Sequence, residues 1–400
     1  MALKVTPAAE RAIRGGHPWL FADSILKQNH DGRTGDLAVI FDAKNRFLAI
    51  GLLDKSSPIR VRILHQGQPA RIDSSWFANS LYTANMRRIS FENSSTNGYR
   101  LVHGENDGLP GVVIDRYDDT VVIKIYTMAW IPHLKSVVES VVTQFEPQRI
   151  ILRFGRLIQN KVREVYDLVD GDIVWGPDLE GVVIFKENGL LFEADVVRGQ
   201  KTGFFLDQRE NRSRVEKLAK GKTVLNVFAY SGGFSLYAAR GGATQVISLD
   251  LSGPALAEAD RNFDRNNKLK SFRLARHETM QGDAFELLDL LGQEKKCFDM
   301  VVVDPPSFAK SRNEIERAQE AYYRLNLLAL GVLQNDGILV SSSCSSRVTE
   351  NDFFSIIHDA ANDAGWRFRE IERTAHPIDH PVGFPEGAYL KCLFGQVKQG

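Results

Sequence analysis

The chain has 400 residues, 43% of them hydrophobic and 25% charged, and its 50 Lys and Arg residues balance its 50 Asp and Glu residues. These proportions are typical of a soluble globular protein, and the length exceeds one ordinary hydrophobic core, so two or three domains are expected. No stretch approaches the roughly 18 apolar residues that a membrane-spanning helix needs, which excludes that class.

The cysteines and the N-terminus indicate the compartment. Cys297, Cys344 and Cys392 form no paired framework and no CxxC spacing, which argues against a disulfide scaffold and a zinc site, so we predict no metal site. Residues 1–16 lack the apolar core of a signal peptide. We therefore expect a reducing, cytoplasmic environment and no membrane partner.

Residues 1–73 are predicted to form a small β-barrel. Short runs with alternating β-branched residues occur between turn residues at 36–41, 46–53 and 58–64. Up to residue 72, eleven basic residues stand against six acidic ones. This excess fits docking to RNA, but ordinary scatter of surface charge explains it equally well.

Residues 74–188 are predicted to form a small α+β domain. Residues 75–91 have a helical pattern, and 111–126 form a predicted hairpin that turns around Asp118. A second helix is predicted over 133–145, followed by a strand at 149–154.

From residue 189 onward, continuous apolar strands alternate with helices, which is typical of a parallel, doubly wound sheet. The predicted strands cover residues 223–228, 245–250, 298–304 and 337–343, and the predicted helices cover about 232–240, 253–266, 283–291, 314–333 and 349–364. Residues 366–374 and 387–397 form two further strands with no helix between them, so they are expected to pair antiparallel. A parallel sheet that ends in an antiparallel pair resembles the S-adenosylmethionine-dependent methyltransferases.

Ligands of a doubly wound sheet bind at the carboxyl ends of its strands. Gly232 and Gly233 follow the first strand and allow backbone to approach a ligand at a helix N-terminus, although close strand–helix packing would also explain them. Asp250 ends the second strand, where a carboxylate can accept hydrogen bonds from ribose hydroxyls. Asp283 is either a contact of an adenine amino group or the N-cap of the next helix.

The next two predicted strands end in Asp304 and just before Cys344. Two prolines after Asp304 fix the backbone, so a carboxylate and a rigid carbonyl are available for the polar edge of a flat base; a simple turn is the alternative. An isolated cysteine usually packs inertly, but Cys344 is expected beside Asp304 in one pocket, which favours a chemical role. Cys297 precedes the strand that Asp304 ends, so it lies at the other end of the sheet. Cys392 occupies an apolar position in the alternating pattern of the last strand and is expected in the core.

These segments together resemble the bacterial 23S ribosomal RNA 5-methylcytosine methyltransferases, and the resemblance spans essentially the whole chain. In the C-terminal part it rests on KTGFFLDQR (201–209), NVFAYSGGFSL (226–236), QGDAF (281–285), DPPSF (304–308) and SCS (343–345). It also covers GGHPWLFADSI (15–25), which is similar to the start of that family's PUA RNA-binding domain, together with GENDGLPGVVIDRY (104–117) and the pattern HP..HP...PEG.YLK (376–391).

The resemblance implies an α/β protein in three parts. These are an N-terminal PUA β-barrel over 1–73, a middle α+β domain over 74–188 and a C-terminal Rossmann-like methyltransferase domain over 189–400. It implies S-adenosylmethionine as cofactor and 23S ribosomal RNA as partner. The oligomeric state is left open, with a homodimer as one expectation.

The resemblance also implies roles for individual residues, with Cys344 as nucleophile and Asp304 as the contact to the base edge. The implied cofactor-binding residues are Gln208, Arg209, Asn226, Phe228, Ser231, Gly232, Gly233, Asp250, Asp283 and Ala284. For the segment that contains Gln208 and Arg209, a helix start capped by Asp207 is the alternative. Many RNA cytosine-5 methylases have a second cysteine where this chain has Ser307, so the group that removes the carbon 5 proton stays open.

The chemistry of cytosine explains why a thiol is needed. Carbon 5 takes a methyl group only after a thiolate has added to carbon 6. A free thiol has a pKa of about 8.5, so a positive neighbour or a helix N-terminus must favour the thiolate. Arg347 and the start of the helix near Thr349 are the candidates, and Asp304 could hold the amidine edge of the ring.

Two other functions remain open. A guanine-N methyltransferase of the same fold also uses Asp-Pro-Pro followed by an aromatic residue and would not need Cys344. A non-catalytic RNA-binding assembly factor would bind the cofactor without methyl transfer. A dehydrogenase is disfavoured, because the loop after the first strand lacks GxGxxG.

Overall fold

A computed structural model of the chain describes residues 1–309 and 311–399. Lys310 and Gly400, which fall within the predicted methyltransferase domain, lie outside the described residues. The described chain folds into two compact units. Unit 1 comprises Met1–Gly189, Glu193–Leu206 and Ile378–Gly387, and unit 2 comprises the other described residues. Of the helices that the structure describes, none is both long and apolar enough to cross a lipid bilayer.

The N-terminal part of unit 1 is a mixed sheet with its own apolar core. Its elements are β1 (Ala2–Val5), α1 (Pro7–Arg14), β2 (Trp19–Phe21), β3 (Ile25–Gln28), β4 (Leu37–Phe41), β5 (Phe47–Leu53) and β6 (Ile59–Gln66). The strands pair in the order β2-β6-β5-β4-β1-β3. Ile13, Ile40 and Val61 are buried in its core. The strands predicted at 36–41, 46–53 and 58–64 are all present.

The middle part of unit 1 contains the predicted hairpin and helices. Its elements are α2 (Ser74–Met86), β7 (Gly98–His103), β8 (Val112–Tyr117), β9 (Thr120–Ile125), α3 (Leu134–Phe145), β10 (Arg149–Phe154), α4 (Gln159–Tyr166), β11 (Ile173–Trp175), β12 (Val183–Glu187) and β13 (Leu190–Ala194), the last of which begins in unit 2. Strands β7 to β11 form a sheet in the order β11-β10-β9-β8-β7. Asp118 takes a left-handed conformation with φ of 55° between β8 and β9, which an aspartate tolerates in a tight turn.

The segment Ile378–Gly387 belongs to unit 1, although the chain on both sides of it belongs to unit 2. Asp379 in this segment is fully buried, and its Oδ2 accepts a hydrogen bond from the backbone N–H of Arg100 at 3.0 Å. The carbonyl of Asp379 accepts from Arg88 at 2.7 Å, and Arg88 also forms a fully buried ion pair with Asp107 at 2.6 Å. The segment is therefore part of the polar interior of unit 1.

Unit 2 is built around a twisted, mostly parallel sheet. Its elements are α5 (Arg209–Leu218), β14 (Thr223–Val227), α6 (Gly233–Arg240), β15 (Gln245–Asp250), α7 (Gly253–Arg265), α8 (Lys270–Leu274), β16 (Arg276–Gln281), α9 (Ala284–Gln293), β17 (Phe298–Val303), α10 (Ile315–Gly331), β18 (Leu333–Ser343), α11 (Glu350–Asp363), β19 (Trp366–Thr374) and β20 (Lys391–Gln399). The strands pair in the order β16-β15-β14-β17-β18-β20-β19, and β20 pairs antiparallel with both β18 and β19. The predicted α/β fold with an antiparallel end is confirmed.

The sequence analysis missed β16. This strand lies at the edge of the sheet and pairs only with β15 among the described strands, and most of its residues are exposed or half-buried. Its sequence, RHETMQ, therefore lacks the apolar run that made the neighbouring strands recognisable.

Candidate functional site

Strands β14, β15, β17 and β18 are parallel neighbours, so their carboxyl ends meet at one edge of the sheet. Asp250 is the last residue of β15, Asp304 follows β17, and Cys344 follows β18. The loop after β14 reaches the same edge. In parallel α/β sheets this edge is where ligands bind.

The loop after β14 has a strained backbone that Asp250 holds in place. Phe228 and Tyr230 have left-handed φ angles of 62° and 47°, which are costly for residues with a β-carbon. Oδ2 of Asp250 accepts a hydrogen bond from the backbone N–H of Tyr230 at 2.8 Å, and Oδ1 accepts from that of Ser252 at 2.9 Å. Asp250 therefore fixes this loop, and a contact to ribose would come in addition.

Two glycines allow close packing at the start of α6. Gly232 has φ of 80°, and a β-carbon on it would lie 2.9 Å from the β-carbon of Ala259. A β-carbon on Gly233 would come within 3.1 Å of the side chain of Arg212. The glycines thus allow α6 to pack closely against α7 and α5 rather than against a strand, and their role toward a cofactor stays a prediction.

Two buried polar atoms near this loop lack a partner within the described part of the chain. Asn226 is fully buried, and its Nδ2 donates to Oγ of Ser235 at 2.9 Å. Oδ1 of Asn226 and Oγ of Ser231 have no hydrogen-bond partner among the described residues. Buried polar atoms without a partner are costly, so a bound molecule is expected to satisfy them.

A chain of hydrogen bonds fixes the orientation of the Asn226 amide. Burial lowers the pKa of His277 to about 4, so its ring is neutral at neutral pH. Nδ1 of the neutral ring can donate to Asp260 at 3.2 Å, and Nε2 then accepts from Ser248 at 2.9 Å. Oγ of Ser248 in turn accepts from Ser235 at 2.7 Å, which leaves Ser235 as the acceptor for the Asn226 amide nitrogen. The carbonyl oxygen of Asn226 is therefore the atom left for a ligand.

Asp304 is held by two hydrogen-bond donors. Its Oδ1 accepts from Nε2 of Gln208 at 2.8 Å and from the hydroxyl of Ser342. Oε1 of Gln208 accepts from Nδ2 of Asn211 at 2.6 Å, which fixes the amide with its nitrogen toward Asp304. Gln208 thus supports Asp304, while its expected contact with the cofactor stays a prediction.

Cys344 lies beside Asp304, as expected from the neighbouring strands. Its side chain is half-buried, and its thiol lies 3.9 Å from the carbonyl oxygen of Pro305. Burial raises the pKa of Tyr322 to about 12, and the charges of Cys344 and Asp304 add to this effect. The Tyr322 hydroxyl accepts from Ser343 at 2.9 Å. The thiol therefore has a neutral phenol and a carboxylate as neighbours.

The other two cysteines lie as predicted. Cys297 is exposed and precedes β17, at the opposite end of the sheet from Cys344. Cys392 is fully buried inside β20, and burial raises the pKa of its thiol well above the ordinary value. Cys297 therefore lies away from Asp304, whereas Cys392 is opposite Ser342 in the sheet, and the charge of Asp304 adds to the rise in its pKa.

The remaining predicted cofactor residues have structural roles. Asp283 is exposed and caps α9, because its Oδ1 accepts from the backbone N–H groups of Phe285 and Glu286 at 2.9 and 3.2 Å. Ala284 is buried in the first turn of α9. Arg209 is buried at the start of α5. Their contacts with a cofactor stay predictions.

Sequence reasoning missed three residues around Cys344. They are Tyr322 on α10, Ser342 on β18 and Lys391 on β20. Lys391 had no clear signal, because a lysine at the start of a strand that also contains Gln396 and Lys398 is not unusual. Tyr322 and Ser342 had none, since a tyrosine in a helix and a serine at a strand end are common.

Comparison with known proteins identifies the family of the chain. A model of the S-adenosylmethionine-dependent methyltransferase family matches residues 156–395, and a model of PUA-like domains matches residues 3–66. A ribosomal RNA large subunit methyltransferase from Deinococcus radiodurans is 45% identical, over 99% of this chain and 97% of the relative. The chain belongs to the ribosomal RNA large subunit methyltransferase family.

Other relatives extend the comparison. A protein named ribosomal RNA large subunit methyltransferase I from Pseudoalteromonas translucida is 34% identical, over 99% of this chain and 99% of the relative. The protein of the same name from Aliivibrio fischeri is 35% identical, over 98% of each chain. The solved structure of a candidate S-adenosylmethionine-dependent methyltransferase from Streptococcus mutans has a TM-score of 0.83 at 23% identity, covering 99% of this chain and 100% of that one. That likeness shows the fold.

The methyltransferase site fits S-adenosylmethionine, the cofactor of this family. The carbonyl oxygen of Asn226 and the hydroxyl of Ser231 are buried polar atoms that need partners. Asp250 adds a carboxylate at the adjacent strand end. An amino acid moiety and a ribose offer N–H and O–H donors that such acceptors bind.

The role of Asp250 can be tested by removing its carboxylate. Asp250→Ala should weaken S-adenosylmethionine binding by about 1–3 kcal/mol, since a charge-assisted hydrogen bond is removed and the strained loop is released. Isothermal calorimetry would measure this. Asp289→Ala, at an exposed position of α9, is the control and should bind normally. Unchanged affinity of Asp250→Ala would remove Asp250 from the site.

The neutral His277 predicts a pH effect on stability. Its folded pKa of about 4 lies below the ordinary histidine value of about 6.5, so the unfolded chain binds more protons between these pH values. The stabilisation is present above pH 6.5 and is lost as the pH falls toward 4, by about 3 kcal/mol at most. Thermal unfolding should therefore show a larger fall in midpoint from pH 7 to pH 5 for wild type than for His277→Gln. His30→Gln, an exposed histidine, should follow wild type; equal falls in all three would contradict the buried neutral ring.

Proposed function

We propose that this protein transfers a methyl group from S-adenosylmethionine to carbon 5 of a cytosine in 23S ribosomal RNA, with Cys344 as nucleophile. The observation that carries the proposal is the half-buried Cys344 thiol, 3.9 Å from the Pro305 carbonyl and next to the fixed carboxylate of Asp304. A covalent mechanism needs this pair, a nucleophile and a group that binds the base edge. Relatives named ribosomal RNA large subunit methyltransferase I support the choice of substrate.

The reaction begins at Cys344. Its thiolate forms a bond to carbon 6 of cytosine, and the electron pair of the ring double bond makes carbon 5 nucleophilic. S-adenosylmethionine, when bound, would supply an electrophilic methyl group, and its sulfur would keep the electron pair of the broken S–CH3 bond, which gives S-adenosylhomocysteine. After carbon 5 is methylated, its proton leaves to a general base, the double bond re-forms, and the bond between sulfur and carbon 6 breaks to regenerate the thiolate.

Asp304 is suited to hold the base during this addition. As the thiolate adds to carbon 6, electron density rises on the ring and a proton at N3 of the amidine edge offsets it; a preorganised carboxylate can hold that protonated edge in place. Gln208 and Ser342 donate to Oδ1 of Asp304 and fix its position. The two prolines after Asp304 restrict the backbone, so the carboxylate does not need to reorganise when the base binds.

Two lysines in the N-terminal sheet support docking to RNA. Lys4 of β1 and Lys27 of β3 are directly opposite each other in the antiparallel register, and both are exposed. Like charges directly opposite in a sheet destabilise it, and a phosphate group would relieve this repulsion. Both lysines line a surface groove of about 310 Å³ that also contains Asn29 and Asn45.

The nucleophile has a direct test. Cys344→Ala should lower the rate of methyl transfer by a factor on the order of 10³ or more while binding S-adenosylmethionine normally, because the thiol acts only in the chemical step. Methylated nucleosides from ribosomal RNA would be measured by mass spectrometry. Cys297→Ala is the matched control and should stay active, and Cys392→Ala should lose only some stability, since it lies in the core.

A trapped intermediate would identify the attacking atom. RNA with 5-fluorocytosine at the target should form a denaturation-resistant adduct with wild type, because fluorine cannot leave carbon 5 as a proton does. Other enzymes have a second cysteine at the position of Ser307. Because this chain has no thiol there, a mutation of Ser307 should not make natural RNA accumulate as an adduct through loss of a second thiol. An adduct at another residue, or 5-methylcytosine made by Cys344→Ala, would overturn the mechanism. Methyl on a guanine nitrogen would favour the alternative substrate, and cofactor binding without any methyl transfer would favour an assembly factor.

Docking to RNA can be tested without truncation. Removing the first 72 residues would expose the core, because Leu52 and Leu64 belong to the same buried cluster as Phe77. The double variant Lys4→Ala/Lys27→Ala should weaken RNA binding and reduce its salt dependence, by about 0.7–0.9 in the log–log slope for each phosphate that is no longer neutralised. Cofactor affinity should not change. Lys217→Ala/Lys220→Ala, exposed in unit 2, is the control, and equal salt slopes for all three proteins would mean that these two lysines do not bind RNA.

A further inference from the structure

Lys391 is a buried lysine on the strand next to Cys344. It begins β20, which pairs antiparallel with β18, and its Cα is directly opposite that of Ser343. Only 5% of the residue is exposed. Lysine is almost never buried to this extent unless its ammonium group has partners, so its position requires an explanation.

The ammonium group of Lys391 binds the loop that follows Cys344. Nζ donates to the carbonyl oxygens of Ser345 and Val348, each at 2.6 Å. These carbonyls lie one and four residues after the cysteine. One side chain thus spans the loop between β18 and α11 and fixes the backbone on the C-terminal side of the thiol.

The charge of Lys391 is not balanced by a carboxylate within the described part of the chain. Among the residues that the structure describes, no aspartate or glutamate lies within ion-pair distance of its Nζ. Burial lowers the pKa of Lys391 to about 8, and the nearby charges that oppose this effect are those of Cys344 first, then Glu350 and Asp352 on the exposed first turn of α11. A buried cation without a carboxylate is costly, and an anion at Cys344 would offset that cost.

We infer that Lys391 is a positioning residue for Cys344: its ammonium group clamps the loop after the cysteine and favours the thiolate over the thiol. This inference rests on the proposed function of Cys344 as nucleophile. It gives the thiolate a cation inside the site, where burial strengthens the attraction between opposite charges.

Among the described residues, Asp304, Tyr322, Arg347 and the start of α11 are less suited to this role. Asp304 is an anion and opposes a thiolate, and Tyr322 is neutral because of its raised pKa. Arg347 is exposed to water, where its charge is screened. The helix α11 begins at Glu350 and has Glu350 and Asp352 in its first turn, so two negative charges oppose the effect of its N-terminus on the thiol.

The test measures the reactivity of Cys344 itself. In a Cys297→Ser background, the exposed competing thiol is absent, and Cys392 is protected by complete burial. The rate of alkylation by iodoacetamide would be followed by mass spectrometry from pH 6 to pH 10. Wild type should show an inflection below about 8.5, the value of a free cysteine. Lys391→Met, which keeps the side-chain length without the charge, should raise the inflection by about one pH unit and slow alkylation at pH 7 about tenfold.

Two further variants separate charge from structure. Lys391→Arg keeps the charge and should stay within about threefold of wild type at pH 7. Lys398→Met, on the same strand but 64% exposed and paired with Asp336, should leave the inflection unchanged. If Lys391 had only a structural role, the loop of Lys391→Met would loosen and alkylation would rise at every pH with no shift of the inflection. That outcome would overturn the inference. A wild-type inflection at or above 8.5 would also overturn it, and this measurement does not depend on the folding of any variant.

This readout is independent of methyl transfer. If Cys344→Ala still made 5-methylcytosine while Lys391→Met shifted the inflection, the proposed nucleophile would be wrong and the role of Lys391 toward the thiol would stand. If Cys344→Ala were inactive and Lys391→Met did not move the inflection, Cys344 would stand as the nucleophile and the role of Lys391 toward its thiol would be wrong. Lys391→Met should also lower the methylation rate at pH 7 about tenfold and recover part of it at pH 9, with cofactor affinity unchanged.

Discussion

The register between β17 and β18 is the constraint on which the rest of the site depends. Val303 is opposite Ser341, so Asp304 and Cys344 leave the two strands at the same edge of the sheet. Successive residues of a strand point to opposite faces, and here Ser342 donates to Asp304 while Ser343 donates to Tyr322. A slip of one residue would exchange these partners and remove the support of Asp304. The buried valines and leucines of both strands fix this register, and they therefore determine where Asp304 and Cys344 lie.

Two side-chain amides near the carboxyl ends of the parallel strands, those of Gln208 and Asn226, are oriented by hydrogen-bond networks. An amide is nearly symmetric in outline, so its hydrogen-bond partners decide which end faces a ligand. Asn211 fixes Gln208 with its nitrogen toward Asp304, and the chain from the neutral His277 fixes Asn226 with its oxygen directed to a ligand. One amide thus holds the carboxylate of Asp304, and the other offers an acceptor. Each residue lies in a different sequence motif, and neither motif shows this difference between them.

The fold could be predicted from the sequence to the extent that elements bury apolar side chains. Strands β14, β15, β17 and β18 are apolar runs with helices between them, and the parallel sheet with its antiparallel end followed from that pattern. The polar edge strand β16 could not be recognised, since pairing with β15 rather than its own composition makes it a strand. In the site, the neighbourhood of Asp304 and Cys344 was predictable because topology brings strand ends together. Lys391 was not, because it comes from an antiparallel strand 47 positions along the chain and its importance appears only when its hydrogen bonds are known. The domain boundaries at 73 and 188 and the roles of the cofactor-binding residues remain proposals.

The segment Ile378–Gly387 has a consequence for how the chain is synthesised and folded. Unit 1 begins at the first residue, yet Asp379 fills a place in its polar interior between Arg88 and Arg100. The N-terminus of a chain emerges from the ribosome first. The interior of unit 1 therefore stays incomplete until nearly all of unit 2 has been synthesised. The strands that flank the segment, β19 and β20, complete the sheet of unit 2 at the same late stage. The two units are therefore expected to reach their native states together at the end of translation, and a fragment that stops before residue 378 would lack an internal part of unit 1.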